Sequence, residues 1–450
     1  MKSFLSRFGA LILSVLSGFD RLRFRGCSRL LSNPRGVDSY LYQRNVLLKQ
    51  YREHTEQLTK DLIGGTEALA AAAGQRIYYL NSPNTDKEAA ALALAHERGL
   101  STGRIAILSC VEGCRTFRIR KNDRGHIYLA AEPARCQHFY HYFQHDQLGL
   151  CYVRLQTWFP FTLRIGINGR QWLYRQLQRE GIPFRRQDNL LRAVADWPRA
   201  QQLLDDQCHT DWPTLLDSLA VQTNPLLPYL RDDARVPYYW VTEQSEWATD
   251  ILFRAPDDLA DLYPRLNRHC IEVLGCRDVL RFLGRSVPAE GFGRCQAEVK
   301  IDYRERREGL RAKLWYDVNS LKVYDKFGCG LRLETTINQA TSFKVYRTKE
   351  GDNGGPRSWQ PLRKGVADLH RQAEVSQRAN ERLAESLATV ADTTPLGQLL
   401  EPLGRPVFPN GYRCRALNPL TGADGELLRT VARGDFLLQG FRNRDLRLAL

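Results

Sequence analysis

The sequence predicts an α+β protein with antiparallel sheets, flanking helices and a basic groove. Runs of alternating apolar and polar residues, broken by glycine or asparagine, occur near residues 104–130, 153–167 and 321–337. This alternation is typical of half-buried antiparallel strands joined by turns. Longer segments between these runs carry apolar residues at helical spacing, which predicts amphipathic helices.

The chain is long enough for several domains. With 450 residues and 43% hydrophobic content, it can bury a large core and form roughly two to four domains. We divide it into a basic strand and helical region at 1–100, a β-rich region with a zinc-ribbon-like segment at 101–170, an α+β core with a Tyr-Asp-Lys hairpin at 171–350, a long helix and linker at 351–410, and a partial winged-helix-like region at 411–450.

The first predicted element is an N-terminal helix that leads into a basic strand at residues 18–25. The apolar run at residues 8–16 is too short to span a bilayer, and no small-residue cleavage site follows it. We therefore expect neither a signal peptide nor a membrane segment. The next predicted elements are helices at 37–75 and 86–99, a strand at 104–109, hairpin strands at 116–120 and 126–130, strands at 153–161 and 162–167, and a helix from Gln171.

Two similar tripeptides begin the helices of the following region. Asp196-Trp197-Pro198 and Asp211-Trp212-Pro213 each place an acid and a proline at a helix start. We expect residues 198–234 to be mostly helical, whereas residues 238–253 fit either a strand or a helix. The remaining predicted elements are helices at 257–275, 277–284 and 364–391 and a linker at 395–409.

The charge of the chain predicts a polyanionic partner. The formal net charge is +15, from 53 Arg and 12 Lys against 50 acidic residues. Excess positive charge attracts nucleic acid, and guanidinium groups bind phosphate in a bidentate manner. We therefore predict DNA or RNA as the partner. Arginine enrichment from a GC-rich genome and an anionic membrane surface are the alternatives.

The eleven cysteines do not indicate a disulfide framework. Their number is odd and most are scattered along the sequence, unlike the dense spacing of small secreted domains. We therefore expect a reducing, cytoplasmic environment.

One group of cysteines and histidines has the layout of a zinc ribbon. Cys110 and Cys114 precede a predicted hairpin, and Cys136, His138 and His141 follow it. Thiolates and imidazoles on either side of a hairpin can form a closed tetrahedral site for structural Zn²⁺. Alternatively, His138 belongs to a base-stacking strand face with Tyr140 and Tyr142.

An acidic cluster lies in the segment that could be strand or helix. Glu243, Glu246 and Asp250 fall on one stripe of a helix, and Glu246 and Asp250 share a face of a strand. Either geometry can present carboxylates to a divalent metal ion. A solvated acidic surface is the alternative interpretation.

The most informative segment is the predicted hairpin at residues 321–337. Because side chains alternate along a strand, Lys322, Tyr324 and Lys326 share one face, and Arg332 and Glu334 share a face of the return strand. Cations, a phenol and a carboxylate on one surface suit a phosphodiester and a metal ion. A buried strand pair with an Arg332–Glu334 network remains the alternative.

Two resemblances point in the same direction. The segments Tyr324-Asp325-Lys326 and Arg332-Leu333-Glu334 resemble a hairpin of rolling-circle replication initiators of plasmids and filamentous phages, which implies metal-dependent cleavage of DNA. The segments at 156–161 and 440–446 resemble an uncharacterised, multi-copy bacterial family that is transposase-like. The run from Arg442 to Leu446 also resembles the entry to the second helix of a winged helix-turn-helix, although no recognition helix follows it before Leu450.

These observations give one main hypothesis and two alternatives. The protein is predicted to be a nucleic-acid-binding protein of mobile-element type, acting as a nuclease, transposase or replication initiator with Mg²⁺ or Mn²⁺. Its metal ligands would be Glu246, Asp250, Asp325 and Glu334, and its phosphate ligands would be Lys322, Tyr324, Lys326, Arg332, Lys344 and Arg347. The alternatives are a DNA- or RNA-binding protein without catalysis and a small-molecule enzyme with a basic surface.

Overall fold

A single large sheet dominates the protein, and helices pack against it, as the predicted α+β class requires. We describe a computed structural model that covers residues 1–285, 297–302, 310–349, 355–390, 395–432, 436 and 440–450. The regions outside the large sheet contribute helices and two small strand pairs.

The strands of the described residues come in two groups along the chain, separated by helices. They are β1 (Ile12–Cys27), β2 (Ile77–Tyr79), β3 (Gly103–Lys121), β4 (Ile127–His145), β5 (Gly149–Gln156), β6 (Leu163–Asn168), β7 (Phe184–Gln187), β8 (Leu190–Val194), β9 (Tyr239–Phe253), β10 (Ala297–Asp302), β11 (Arg311–Tyr316), β12 (Asn319–Lys326), β13 (Gly330–Ile337), β14 (Lys344–Arg347) and β15 (Ser358–Pro361).

The helices of the described residues mostly follow or precede these strand groups. They are α1 (Lys2–Phe8), α2 (Pro34–Gln43), α3 (Tyr51–Ala72), α4 (Lys87–Glu97), α5 (Gly169–Arg179), α6 (Trp197–Gln207), α7 (Trp212–Thr223), α8 (Pro256–Glu272), α9 (Cys276–Phe282), α10 (Leu369–Leu387), α11 (Leu396–Leu400), α12 (Gly422–Val431) and α13 (Asn443–Arg447). Within these residues, no helix combines the length and apolar character that crossing a membrane requires.

Within the described residues, the large sheet contains eleven strands in the order β10-β11-β12-β13-β9-β1-β6-β5-β4-β3-β2. Neighbouring strands are antiparallel except β2 and β3, which are parallel. β7 pairs with β8, and β14 pairs with β15, in two small separate sheets. The sheet therefore draws its strands from three of the predicted regions.

The two halves of this sheet repeat one topology around the central β1–β9 pair. On one side of the centre the order is β1-β6-β5-β4-β3, and on the other it is β9-β13-β12-β11-β10. In each half, the central strand is followed in the chain by helices and then by a four-strand meander that returns to it. The first half also has β2 among its helices, and in the second half β14 and β15 precede the next helix, α10. The repeat places the innermost strands of the two halves, β1 and β9, side by side at the centre of the sheet.

Helices bury one face of the sheet in two apolar clusters. One cluster joins β1 and β4–β6 to α2, α3 and α5–α7, and the other joins β9 and β11–β13 to α1 and α8–α10. Because side chains alternate along a strand, apolar residues face the helices and polar residues face the other side of the sheet. In β1, for example, Leu22 and Phe24 are buried, whereas Arg21 and Arg25 are exposed. We call the second surface the open face; α4 covers its far edge near β3 and β4.

Most predicted elements are confirmed, and the differences have local causes. The predicted helix at 37–75 is two helices: α2 ends at Gln43, and the chain turns at Asn45, whose φ of 54° lies outside the helical region. The ambiguous segment at 238–253 is the strand β9, which pairs on both sides with β1 and β13. The β7–β8 hairpin was not predicted, and in the terminal region α12 and α13 supply two short helices.

Candidate functional site

Three buried carboxylates converge on the open face at the centre of the sheet. Asp20 of β1, Glu246 of β9 and Glu334 of β13 are 5%, 8% and 2% exposed. One oxygen from each carboxylate lies within 4.8 Å of the other two, which is close enough to hold a metal ion. The sequence analysis selected Glu246 and Glu334 but missed Asp20. We call these three residues the carboxylate triad.

A β-bulge brings Asp20 to this position. Phe19 pairs with Trp247 and Arg21 pairs with Glu246, so the register of β1 against β9 shifts by one residue at Asp20. Because of the extra residue, Asp20 and Arg21 both face the open side between the buried Phe19 and Leu22. Bulges commonly re-aim a side chain beside a functional site.

Glu334 is held by two neighbours on β12. Lys322, which pairs directly with Glu334 across the strands, binds its Oε1 atom. The Tyr324 hydroxyl donates a hydrogen bond of 2.7 Å to its Oε2 atom. Burial acts to raise the pKa of Glu334, but the Lys322 ammonium and these hydrogen bonds lower it to about 2. Glu334 is therefore an anion fixed in orientation.

The anionic form of Glu246 is less strongly stabilised than that of Glu334. The Lys322 Nζ atom lies 3.8 Å from the Glu246 Oε1 atom, farther than a hydrogen bond. Burial and the adjacent negative charge of Glu334 raise the pKa of Glu246. A cation bound among the three carboxylates would reduce their mutual repulsion and stabilise the ionised form of Glu246.

Arg332 lies beside the triad, two residues before Glu334 on the same face of β13, and is fully buried, at 0% exposure. Its guanidinium donates to Asp20 Oδ1 at 3.0 Å and to Asp250 Oδ2 at 2.9 Å. Arg170 also donates to Asp250 Oδ2, at 2.9 Å. The predicted roles of two residues therefore need correction: Arg332 cannot reach a substrate phosphate, and Asp250 is engaged by arginines instead of facing a metal.

Three further predicted residues lie away from the triad. Asp325 points to the opposite side of β12 from Lys322 and Tyr324, and its Oδ1 atom accepts the Gly328 N–H at 2.8 Å. Lys344 and Arg347 belong to β14, in the separate sheet with β15. These corrections follow from strand alternation and topology, which local spacing does not reveal.

An open cleft of about 600 Å³ lies above the triad. The cations that line it come from both halves of the sheet: Arg21, Arg23, Arg311, Lys322 and Lys326. The lining also includes Glu88 of α4 and, from the turn of the β7–β8 hairpin, Asp188 and Asn189. The predicted residues Lys326 and Tyr324 also line this cleft.

Asn189 is a site residue that the sequence analysis missed. Its Nδ2 atom donates to Asp20 Oδ1 at 2.6 Å, and its backbone oxygen accepts from Arg332 at 2.8 Å. Its side-chain Oδ1 atom is buried and has no hydrogen-bond partner. No sequence signal marks Asn189, whereas Asp20 was visible as an acid inside an otherwise basic and apolar strand.

The predicted zinc ribbon is not formed by the strands that carry it. Cys110 and Cys114 lie in the uninterrupted strand β3, where residues four apart are separated by about 13 Å and cannot share a tetrahedral ion. Cys136 and His138 share the face of these cysteines on β4, but His141 pairs with Ile107 and faces the other side. Within the described ranges, only the carboxylate triad meets the geometry of a three-ligand site.

Comparisons with known proteins add little to this geometry. A solved structure that aligns with the chain is the crystal structure of the di-domain ARO/CYC BexL from the BE-7585A biosynthetic pathway. The alignment has 11% identity, covers 68% of this chain and 94% of that chain, and has a TM-score of 0.13, which establishes no shared fold. No family model and no curated protein matches the chain.

Proposed function

We propose that the protein binds nucleic acid and cuts or joins its phosphodiester backbone with a divalent metal ion, in the manner of mobile-element proteins. One observation carries this proposal: a buried triad of carboxylates and five cationic side chains line the same open cleft. Carboxylates alone attract a metal, and cations alone attract a polyanion. Both together in one cleft suit a phosphate bound to a metal ion.

The donor set favours Mg²⁺ or Mn²⁺ over a soft metal ion. Asp20, Glu246 and Glu334 offer only carboxylate oxygens, which are the ligands of hard cations. Asn189, whose Nδ2 atom donates to Asp20, also lines the cleft and has a buried side-chain oxygen without a hydrogen-bond partner. When bound, the ion would polarise a phosphoryl oxygen and lower the pKa of a bound water molecule.

The remaining residues orient the ligands and attract the substrate. Lys322 and Tyr324 fix Glu334, and Arg332 fixes Asp20. Arg21, Arg23 and Arg311 line the cleft above the carboxylates and would contact phosphates on either side of the reacting one. The formal net charge of +15 increases the rate at which a polyanion reaches this cleft.

A nucleic-acid-binding protein without catalysis is the second candidate. The observation that favours it is the position of Lys322, whose ammonium group already contacts Glu334 and lies near Glu246. An internal cation can neutralise the carboxylates without a metal ion. This candidate predicts affinity with a steep salt dependence and no product with either Mg²⁺ or Mn²⁺.

A cleavage assay separates the two candidates. Plasmid DNA, a labelled DNA strand and a labelled RNA strand are incubated with the protein and Mg²⁺, Mn²⁺ or EDTA. We expect metal-dependent products that Glu246→Gln and Asp20→Asn each reduce by at least about 100-fold, with nucleic-acid affinity in EDTA retained. Asp325→Asn is the matched control, because Asp325 faces away from the triad. Products that persist in EDTA or in both triad variants would exclude the metal-dependent mechanism.

A further inference from the structure

A second cationic cleft lies on the other side of the β7–β8 hairpin. It has a volume of about 560 Å³, and four of its lining residues are arginines: Arg185, Arg186, Arg192 and Arg254. The first three belong to the hairpin, and Arg254 directly follows β9. We call this surface the arginine cleft.

The four arginines are exposed, so that their guanidinium groups can contact an anion from solvent. Arg192 donates to the neutral Gln187 side chain at 2.9 Å, and the Arg186 guanidinium lies 4.8 Å from the Tyr174 ring centroid. These contacts orient the side chains without neutralising them. In the part of the chain that the structure describes, no carboxylate forms an ion pair with any of the four. Converging unpaired guanidinium groups are suited to phosphate.

The hairpin is a shared wall between the two clefts. Its strands carry the arginines, and its turn places Asn189 against Asp20 of the carboxylate triad. Arg332 fixes this turn by donating to the Asn189 backbone oxygen at 2.8 Å. Arg185 precedes Asn189 by four residues in the hairpin, which corresponds to about 13 Å of extended chain, so the two clefts are separated by roughly the length of the hairpin.

We propose that the arginine cleft is a second phosphate-binding subsite for the same nucleic acid strand that enters the carboxylate cleft. This inference rests on the proposed function. A strand whose reacting phosphate lies over the triad continues past the hairpin turn and places later phosphates on Arg185, Arg186, Arg192 and Arg254. The exposed Leu13 side chain, which also lines the cleft, contacts sugar or base surfaces.

Two consequences distinguish this subsite from general electrostatic attraction. Affinity depends on strand length, because a strand of about two nucleotides cannot reach both clefts whereas one of about 20 can. The salt dependence also contains a contribution from the hairpin, since each phosphate that a cation neutralises adds about 0.7 to the slope for a single strand.

The test measures binding of a fluorescein-labelled single strand of about 20 nucleotides in EDTA, between about 50 and 200 mM NaCl. The variant combines Arg185→Gln, Arg186→Gln and Arg192→Gln, which keep the side-chain length. The control combines Arg35→Gln, Arg76→Gln and Arg124→Gln, which are exposed and line neither cleft. Both variants lose three charges, so their long-range fields change equally.

We expect the hairpin variant to bind the long strand at least about tenfold more weakly than the control, with a salt slope lower by about two. A strand of about two nucleotides should not distinguish the two variants. Equal affinities of both variants for the long strand would overturn the subsite and leave the proposed function standing. A wild-type protein that binds no nucleic acid would overturn both proposals.

A vesicle arm tests a different anionic partner. Phosphatidylcholine vesicles with and without phosphatidylserine are sedimented with the wild type, the hairpin variant and the control. We expect no loss of vesicle binding that is specific to the hairpin variant. A specific loss on phosphatidylserine vesicles, with oligonucleotide affinity unchanged, would assign the arginine cleft to lipid headgroups and overturn the proposal.

Discussion

The two halves of the sheet repeat one strand order but fill their open faces differently. In the first half, Tyr152 of β5 pairs with Gly166 of β6, and the phenol ring lies across the glycine, where a Cβ atom would be 2.2 Å from Tyr152 Cε1. In the second half, the corresponding strands place Lys322 opposite Glu334. An aromatic ring therefore fills the open face of the first half, whereas buried charged side chains occupy the open face of the second half.

This difference shows that the two halves contribute unequally to the carboxylate triad. The second half supplies Glu246, Glu334 and the residues that orient them, and the first half supplies Asp20 through the bulge in β1. The triad thus depends on the central pairing of β1 with β9. Substitutions in matching positions of the two halves should therefore have unequal effects.

The largest expected difference concerns two arginines. Arg332→Met leaves the carboxylates of Asp20 and Asp250 without their shared buried cation, and we expect a loss of about 3–5 kcal/mol in the free energy of unfolding. Arg164 of the first half pairs with Glu243, and both side chains are about one-third exposed. Arg164→Met should cost less than about 1 kcal/mol.

Urea unfolding of both variants measures this comparison directly. A smaller loss for Arg332→Met than for Arg164→Met would mean that the buried network contributes nothing beyond an ordinary surface ion pair.

A smaller effect is expected from a methyl group added in the first half. Gly166→Ala forces the Tyr152 ring to move, which should cost about 1–3 kcal/mol through overpacking. Gly113→Ala on β3 is the control, because no atom lies within 4 Å of its added Cβ. In a Tyr152→Ala background the cost of Gly166→Ala should largely vanish. Thermal or urea unfolding of the four proteins gives the coupling, and full additivity would contradict the ring-on-glycine contact.

Metal affinity should depend on pH through Glu246. Its pKa is raised by burial and by Glu334, so a proton competes with the ion as pH falls toward this raised pKa, and affinity is fully present only above it. The decrease below it should approach about tenfold per pH unit. Calorimetric titration with Mg²⁺ over a pH series measures the effect, and a pH-independent affinity in the acidic range would contradict the assignment of Glu246 as a ligand.

The smallest expected effect involves Lys313 on β11. Burial and the neighbouring cations Lys322 and Arg311 lower its pKa to about 8, so it is charged below that pH and loses its charge above it. Affinity for a nucleic acid strand should fall modestly between about pH 7 and 9, with the salt slope lower by about one. Lys313→Arg keeps its charge and should remove this pH dependence in a fluorescence binding assay. An equal fall in both proteins would place Lys313 outside the binding surface.

Much of the fold could be predicted because its signals are local. The alternation and glycines of residues 321–337 predicted β12 and β13 with the correct shared face for Lys322 and Tyr324. Glu334 was predicted from this same alternation, and Glu246 from the spacing of the acidic residues Glu243, Glu246 and Asp250. The helix predicted at residues 86–99 is confirmed as α4, and the structure shows Asp86 as its cap, with the Oδ1 atom accepting the Ala89 N–H at 3.0 Å.

The rest depended on information that one sequence does not carry. Asp20 reaches the site only because the register with β9 shifts by one residue. Asp250 and Arg332 have site-like residue types, but the depth at which they are buried depends on packing between distant segments. Cys110 and Cys114 have a ligand-like spacing that would serve a metal only if the chain turned between them, and β3 continues straight through it.

Manganese binding measured by electron paramagnetic resonance tests most directly whether carboxylates of both halves hold one ion at the centre of the sheet. The wild type should bind one ion per chain, Asp20→Asn, Glu246→Gln and Glu334→Gln should each abolish this binding, and Asp325→Asn should retain it. A wild-type protein that binds no Mn²⁺, or triad variants that bind it as well as the wild type, would contradict the account.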